Sequence, residues 1–163
     1  MKYYRLFFSL STLSLLVLLL QGCATTEYAV KDLPKLGLSI EVEESSEVLV
    51  NTTREVVLRD FAGSIIHISH LDRLQNDDAE IGEQVIATAK EQGLELSSLK
   101  AVRLNEHNIS GVYIRGVRND SLVLIGGFIG LQSTDAYLAV LRFPQSMDDE
   151  AEHSMRSITF NRK

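Results

Sequence analysis

The sequence predicts an α+β domain: an antiparallel sheet of about six to seven strands packed by one main helix (about 77–92) and a short C-terminal helix (about 146–155). Three observations point there. Alternating or β-branched apolar segments recur from Leu36 to Phe143. One stretch, Asp77 to Gln92, carries its apolar residues at helical spacing instead. The break Asn119-Asp120 between two long apolar segments is short, which suits a tight antiparallel hairpin and not a crossover.

The first strand is expected in Leu36-Gly37-Leu38-Ser39-Ile40-Glu41-Val42, where Leu36, Leu38, Ile40 and Val42 alternate with small or polar residues and should face inward. Glu43-Glu44-Ser45-Ser46 is a polar break, followed by a short apolar segment from Glu47 to Val50. Arg54 to Phe61 and Ile65 to Leu71 read as two strands joined by Ala62-Gly63-Ser64. The second carries His67 and His70. Two nearby histidines invite a metal reading, but residues three apart in a strand point to opposite faces, so the expectation is two sheet-surface side chains.

The main helix has Asp77 as a candidate cap, with Glu80 three residues on. Ile81, Val85, Thr88 and Ala89 form one stripe with Ile86 beside it, and Gly93 stands where a left-handed C-terminal residue is wanted. Asp77, Asp78, Glu80 and Glu83 crowd its first half. They suit the helix dipole, and that reading outweighs a cation site or catalytic pair.

Leu99 to Leu104, Ile109 to Arg118 and Ser121 to Leu131 follow as three successive strands, with turns at Asn105 to Asn108 and Asn119-Asp120. Leu122-Val123-Leu124-Ile125 is continuously apolar, as in a central strand covered on both faces. Gly126-Gly127-Phe128-Ile129-Gly130 lacks both GxGxxG spacing and a Walker lysine, and it continues a strand. Its glycines therefore predict a bulge or the close approach of a helix or ligand, not a phosphate loop. Ala136 to Phe143 is a further strand closed by Pro144. Ser146 to Met155 reads as an acidic helix with Ser146 as cap and Met147, Ala151 and Met155 on one stripe, and Ser157 to Phe160 ends extended.

The chain has 163 residues, with 16 Lys plus Arg against 22 Asp plus Glu, one Cys and no Trp. An acidic body argues against nonspecific nucleic-acid binding and against a polybasic membrane surface. One cysteine makes neither an internal disulfide nor a multi-thiolate metal site. Three Asn-x-Ser/Thr triplets, at Asn51, Asn108 and Asn119, are chance matches in a bacterial setting, which the N-terminus indicates.

That N-terminus begins with Lys2, Arg5 and no acid, then runs apolar from Leu6 to Leu20. The run is short for a membrane span, which needs about 20 residues, and right for the core of a secretory leader. It ends in Leu20-Gln21-Gly22-Cys23. This resembles the bacterial lipoprotein signal, in which a Leu stands three residues before the cysteine and small residues precede it. The resemblance implies residues 1–22 as signal peptide, Cys23 as the lipid attachment site, and membrane anchoring through acyl chains, two of which hold stably where one is reversible. Ala24 after the cysteine, where an aspartate would mark retention at the inner membrane, implies the outer membrane facing the periplasm. Residues 23–35 then read as a flexible tether, and 36–163 as a single domain.

The order of elements, with Leu36-Gly37-Leu38-Ser39-Ile40, the helix ending at Gly93, the hairpin Val112 to Gly127 and the close Met155-Arg156-Ser157-Ile158-Thr159-Phe160, resembles the Mog/PsbP-like proteins, which include DcrB-type bacterial lipoproteins. Glu43-Glu44-Ser45-Ser46 stands where that family carries Pro and Trp. The resemblance implies binding and accessory roles, with no shared catalytic residues.

The expected function is a non-enzymatic envelope lipoprotein, without cofactor or metal, that binds a protein partner or apolar ligand. Arg54, Arg59, Arg103, Arg115, Arg118 and Arg142 would mark an anionic partner site if several gathered on one face. A phage-exclusion or toxin-immunity lipoprotein fits the same features. An envelope hydrolase would need His67, His70, His107 or His153 beside an acid and a Ser or Thr, and no local signature supplies that arrangement.

Overall fold

The computed structural model describes residues 27–71, 78–96, 99–105, 108–131 and 135–161. Among them the chain runs β1 (Tyr28–Leu33), β2 (Leu38–Glu43), β3 (Glu47–Asn51), β4 (Glu55–Arg59), β5 (Ile65–Leu71), α1 (Asp78–Glu91), β6 (Lys100–Leu104), β7 (Ile109–Arg118), β8 (Ser121–Gly130), β9 (Ala136–Pro144), α2 (Asp148–Arg156) and β10 (Thr159–Phe160). The fold is α+β and largely strands. A seven-stranded antiparallel sheet has the order β3-β4-β5-β9-β8-β7-β6, and a three-stranded antiparallel sheet has the order β1-β2-β10.

The small sheet exists because β2 has two backbone edges to satisfy. Its Leu38, Ile40 and Val42 turn inward and are buried, as the alternation predicts. β1 and β10 pair with its two edges. β1 corrects the expected tether over residues 23–35: from Tyr28 the chain is strand, and Glu27 already accepts a hydrogen bond from the Glu44 amide at 2.8 Å. The physical reason is that β1 is an edge strand held by its backbone. Its side chains bury only Leu33 fully, so no apolar alternation announces it. The fold therefore begins before Leu36.

The two faces of the large sheet are covered differently. On one face, Val56, Leu58, Ile66, Ile68, Leu122, Leu124, Phe128, Ala139 and Leu141 form one cluster with Leu38, Ile40 and Val42 of the small sheet and Ala151 and Met155 of α2. On the other, α1 lays Val85 and Ala89 over Ile114, Val123 and Ile125, with Leu94 beside them. The chain is thus three layers deep across β7–β9.

β8 serves both faces, which explains its unbroken apolar run. Its two central glycines answer the question their sequence raised. A Cβ on Gly127 would stand 2.4 Å from Ile81 Cγ2 of α1, and one on Gly126 would stand 2.8 Å from Met155 Sδ of α2. Each glycine admits one helix to its face of the sheet.

α1 ends as the sequence predicts. Gly93 has φ +70°, its amide donates to Lys90 O and the Leu94 amide donates to Ala89 O, each at 2.9 Å, which is the Schellman pattern. Asn119 and Asp120 both have positive φ, as the two-residue β7–β8 hairpin requires. The start of α2 differs from expectation. Met147, not Ser146, occupies the N-cap and no side chain caps it. The Met147 amide donates to Pro144 O at 2.9 Å, closing a turn that lets its side chain pack on the core while Asp148, Asp149 and Glu150 meet the helix dipole.

The leader, Cys23, Asp77 with its capping role, and His107 lie outside the described residues. Among the described residues, no helix is long and apolar enough to cross a membrane.

Candidate functional site

The face of the large sheet that carries α1 is only half covered. Among the described residues, α1 packs on β7, β8 and β9, and no helix covers the same face of β3, β4 and β5. One cross-strand row makes the change visible. Val50, Val57, His67, Val140, Ile125 and Ile114 are neighbours across six strands. The first four are half-buried, and Ile125 and Ile114 disappear beneath α1.

On this open half, Val57 and Ile65 are half-buried aliphatic side chains, while Leu138 and Val140 of β9 pack against the edge of the α1 cluster. Ion pairs flank them. His67 Nε2 lies 3.0 Å from Glu55 Oε2, and Arg59 Nη2 donates to Glu47 Oε1 at 2.5 Å. Ser69 Oγ donates to Leu138 O at 3.4 Å. The arrangement is an apolar strip beside one Arg–Glu ion pair and one His–Glu contact.

The arginines divide by face. Arg59, Arg118 and Arg142 share the helix-bearing face at one end of the sheet. Two of them converge on the C-terminus of α1: Arg118 Nη1 donates to the Gln92 carbonyl and Arg142 Nη2 to the Gln92 side-chain oxygen. They complete the helix terminus and so are spent on structure. Arg115 lies on the opposite face and pairs with Asp148 of α2. Arg103 falls on the helix-bearing face at the far end, and Arg54 in the turn before β4.

The histidines separate as the strand geometry requires. His67 is on the open half. His70 is on the other face, with its ring 5.2 Å from that of Tyr137 and its Nε2 3.4 Å from Asp135 Oδ1. His153 Nε2 lies 2.9 Å from Glu41 Oε2, with the Tyr28 ring 4.4 Å away, and this pair fastens α2 to β2. Each of the three therefore has a carboxylate. Among the described residues, no group of three or more His, Cys, Asp or Glu side chains is placed to hold a metal.

Two polar constellations were not anticipated from sequence. Tyr113 Oη donates to Glu152 Oε1 at 2.8 Å, Arg156 Nε donates to the same oxygen at 3.0 Å, and the Arg156 guanidinium lies 5.8 Å from the Tyr113 ring centroid. The Tyr113 hydrogen bond, and then that of Arg156, hold the Glu152 carboxyl below its usual range, while burial and the Glu152 bond push the Tyr113 phenol up. Only the i,i+4 spacing of Glu152 and Arg156 was visible in the sequence. In the second, Tyr137 donates to the Leu36 carbonyl at 2.6 Å, and burial, helped by Asp135, pushes its phenol up to about 12. Both tie layers together and neither gathers a nucleophile. A shallow depression of about 540 Å³ on the solvent side of α1, lined by Ala79, Gly82, Glu83, Ile86, Ala87 and Lys90, holds one acid and one base.

No protein-family model matches the chain, and no curated protein matches it. A solved structure from Bacteroides thetaiotaomicron is similar over 79% of this chain and 46% of its own, at 12% identity and a TM-score of 0.44. The chain thus spans about half the length of that neighbour.

Proposed function

We propose that this chain is a bacterial envelope lipoprotein, held in the outer membrane through acyl chains on Cys23 and facing the periplasm. In this reading it works as a non-enzymatic binding module for a protein partner or apolar ligand. The observation that carries the anchor is the run from Lys2 to Cys23: a basic start, a short apolar core and Leu20-Gln21-Gly22-Cys23. The binding role is supported by the open half of the sheet, where Val57 and Ile65 lie beside the Glu55–His67 and Glu47–Arg59 contacts. The resemblance to the Mog/PsbP-like proteins, and to DcrB-type lipoproteins among them, points the same way.

Metabolic labelling with a fatty acid tests the anchor. Wild type takes up label and sediments with membranes, whereas Cys23→Ser is unlabelled and keeps its leader. A Cys23→Ser chain that is cleaved and labelled like wild type sinks the reading. For the binding face, crosslinking in membranes compares wild type with Val57→Arg. Loss of the wild-type crosslinked species is expected, and an unchanged pattern removes the open half as the site.

A further inference from the structure

We propose that the domain has a second membrane contact. The β4–β5 turn seats the Phe61 ring at headgroup level in the bilayer that holds Cys23, and this rests on the lipid-anchor reading above.

Two observations meet here. Phe61, at the tip of that turn, is 91% exposed, more than any other large apolar side chain among the described residues. Topology also brings the turn to the start of the domain. Glu27 O accepts from the Glu44 amide, Tyr28 pairs with Glu43, the chain turns through Glu44–Ser46 into β3, and Glu47 then pairs with Arg59, two residues before Phe61. Glu27 and Phe61 therefore flank the same end of the molecule.

Glu27 follows Cys23 by only four residue steps. At full extension they span no more than about 14 Å. A lipid on Cys23 thus holds this end, and not the opposite one, against the bilayer. The opposite end is far by comparison: Leu131 lies eight residues along β8 from Val123, which shares a cross-strand row with Arg59, or about 26 Å. Bringing a mostly exposed phenyl ring this near to lipid makes its insertion effectively intramolecular, so a modest gain per ring suffices.

The charges select the kind of surface. Glu27, Glu43, Glu44, Glu47 and Asp60 stand at this end; of the cations there, Arg59 is paired with Glu47, Lys31 donates to the Glu44 carbonyl, and Arg118 and Arg142 donate to Gln92. Such an end is not drawn to anionic headgroups by charge, so the contact is apolar and suits a zwitterionic bilayer. Val48 and Leu49, both nearly half exposed, lie on the adjoining strand β3, with Val48 opposite Leu58, three residues before Phe61.

The absence of any Trp makes the test direct. The mature lipidated protein carrying Phe61→Trp is reconstituted on phosphatidylethanolamine–phosphatidylcholine vesicles with brominated acyl chains. Trp emission is expected to shift to shorter wavelength and lose intensity, relative to the same substitution in a lipid-free chain of residues 24–163 in solution. A Leu131→Trp protein, labelled at the far end, is expected to emit as in water and to escape quenching. If the lipidated Phe61→Trp protein floats with the vesicles but its emission is unshifted and unquenched, the second contact is wrong and the anchor stands. If the protein carries no lipid and does not float, the anchor reading fails and this inference falls with it.

Discussion

The two halves of the helix-bearing face are built from the same kinds of residue and have opposite fates. Ile114, Val123 and Ile125 lie on β7 and β8 and are buried under α1. Val57 and Ile65 lie on β4 and β5, point the same way and remain half-buried. The lesson is that β-branched aliphatic residues suit any sheet surface, while the depth of burial is decided by what lies above it. Here the decision falls to Gly127. Without a Cβ at that point, Ile81 and Val85 approach closely enough for α1 to seal its half.

Substitutions along the Val50-to-Ile114 row should therefore graduate in cost. The largest effect is expected at Ile125, which is fully buried: Ile125→Ala should destabilise by about 2–5 kcal/mol in denaturant unfolding. A cost below about 1 kcal/mol there would mean that α1 does not seal the row. Gly127→Ala comes next. Its Cβ would collide with Ile81, and overpacking of this kind costs about 1–3 kcal/mol, with reduced amide protection in α1 as a second readout. The smallest effect belongs to the open half, where Val57→Thr should change stability by no more than about 0.5 kcal/mol. A loss as large as that of Ile125→Ala would show that the half is covered in solution.

Acid sharpens the contrast from the other face, because α2 adds the Tyr113–Glu152–Arg156 bonds to the apolar packing of Ala151 and Met155. The Glu152 carboxyl is held below its usual range by Tyr113 and Arg156, so its stabilising contribution is present above that range. It is lost as pH falls through the depressed folded value. Acid titration followed by hydrogen exchange should loosen α2 before α1, and Glu152→Gln should remove that pH dependence. At the alkaline end, the Tyr137 phenol is raised to about 12, so stability should decline as pH rises from about 10 toward that value. Tyr137→Phe should reduce the slope, leaving the share of Tyr113 and Tyr28, and leave the Leu36 carbonyl without this bond, at about 1–3 kcal/mol near neutral pH.

Much of the fold was legible because its signals are local. Leu38, Ile40 and Val42 alternate, α1 shows its stripe and its Gly93 terminus, and Asn119-Asp120 accepts the two positive φ values of the hairpin. The candidate face was less legible. Val57 and His67 look like ordinary sheet residues, and nothing in their spacing says that α1 stops short of them. Tyr113 and Glu152 are 39 positions apart, beyond the reach of any periodicity.

By itself, the sequence determined most element types, the inward face of β2 and the N-terminal pattern ending in Cys23. These depend on neighbours within a few positions and on backbone geometry. Tertiary structure alone decided that Tyr28–Leu33 is a strand, because an edge strand is recruited by its partner's unpaired backbone groups. It placed Met147 at the cap of α2, since the turn from Pro144 and the packing of Met147 outweigh a serine hydroxyl one residue earlier. It also set Glu27 beside the turn that carries Phe61, a meeting of two segments that have no relation along the chain and share only the end of a sheet.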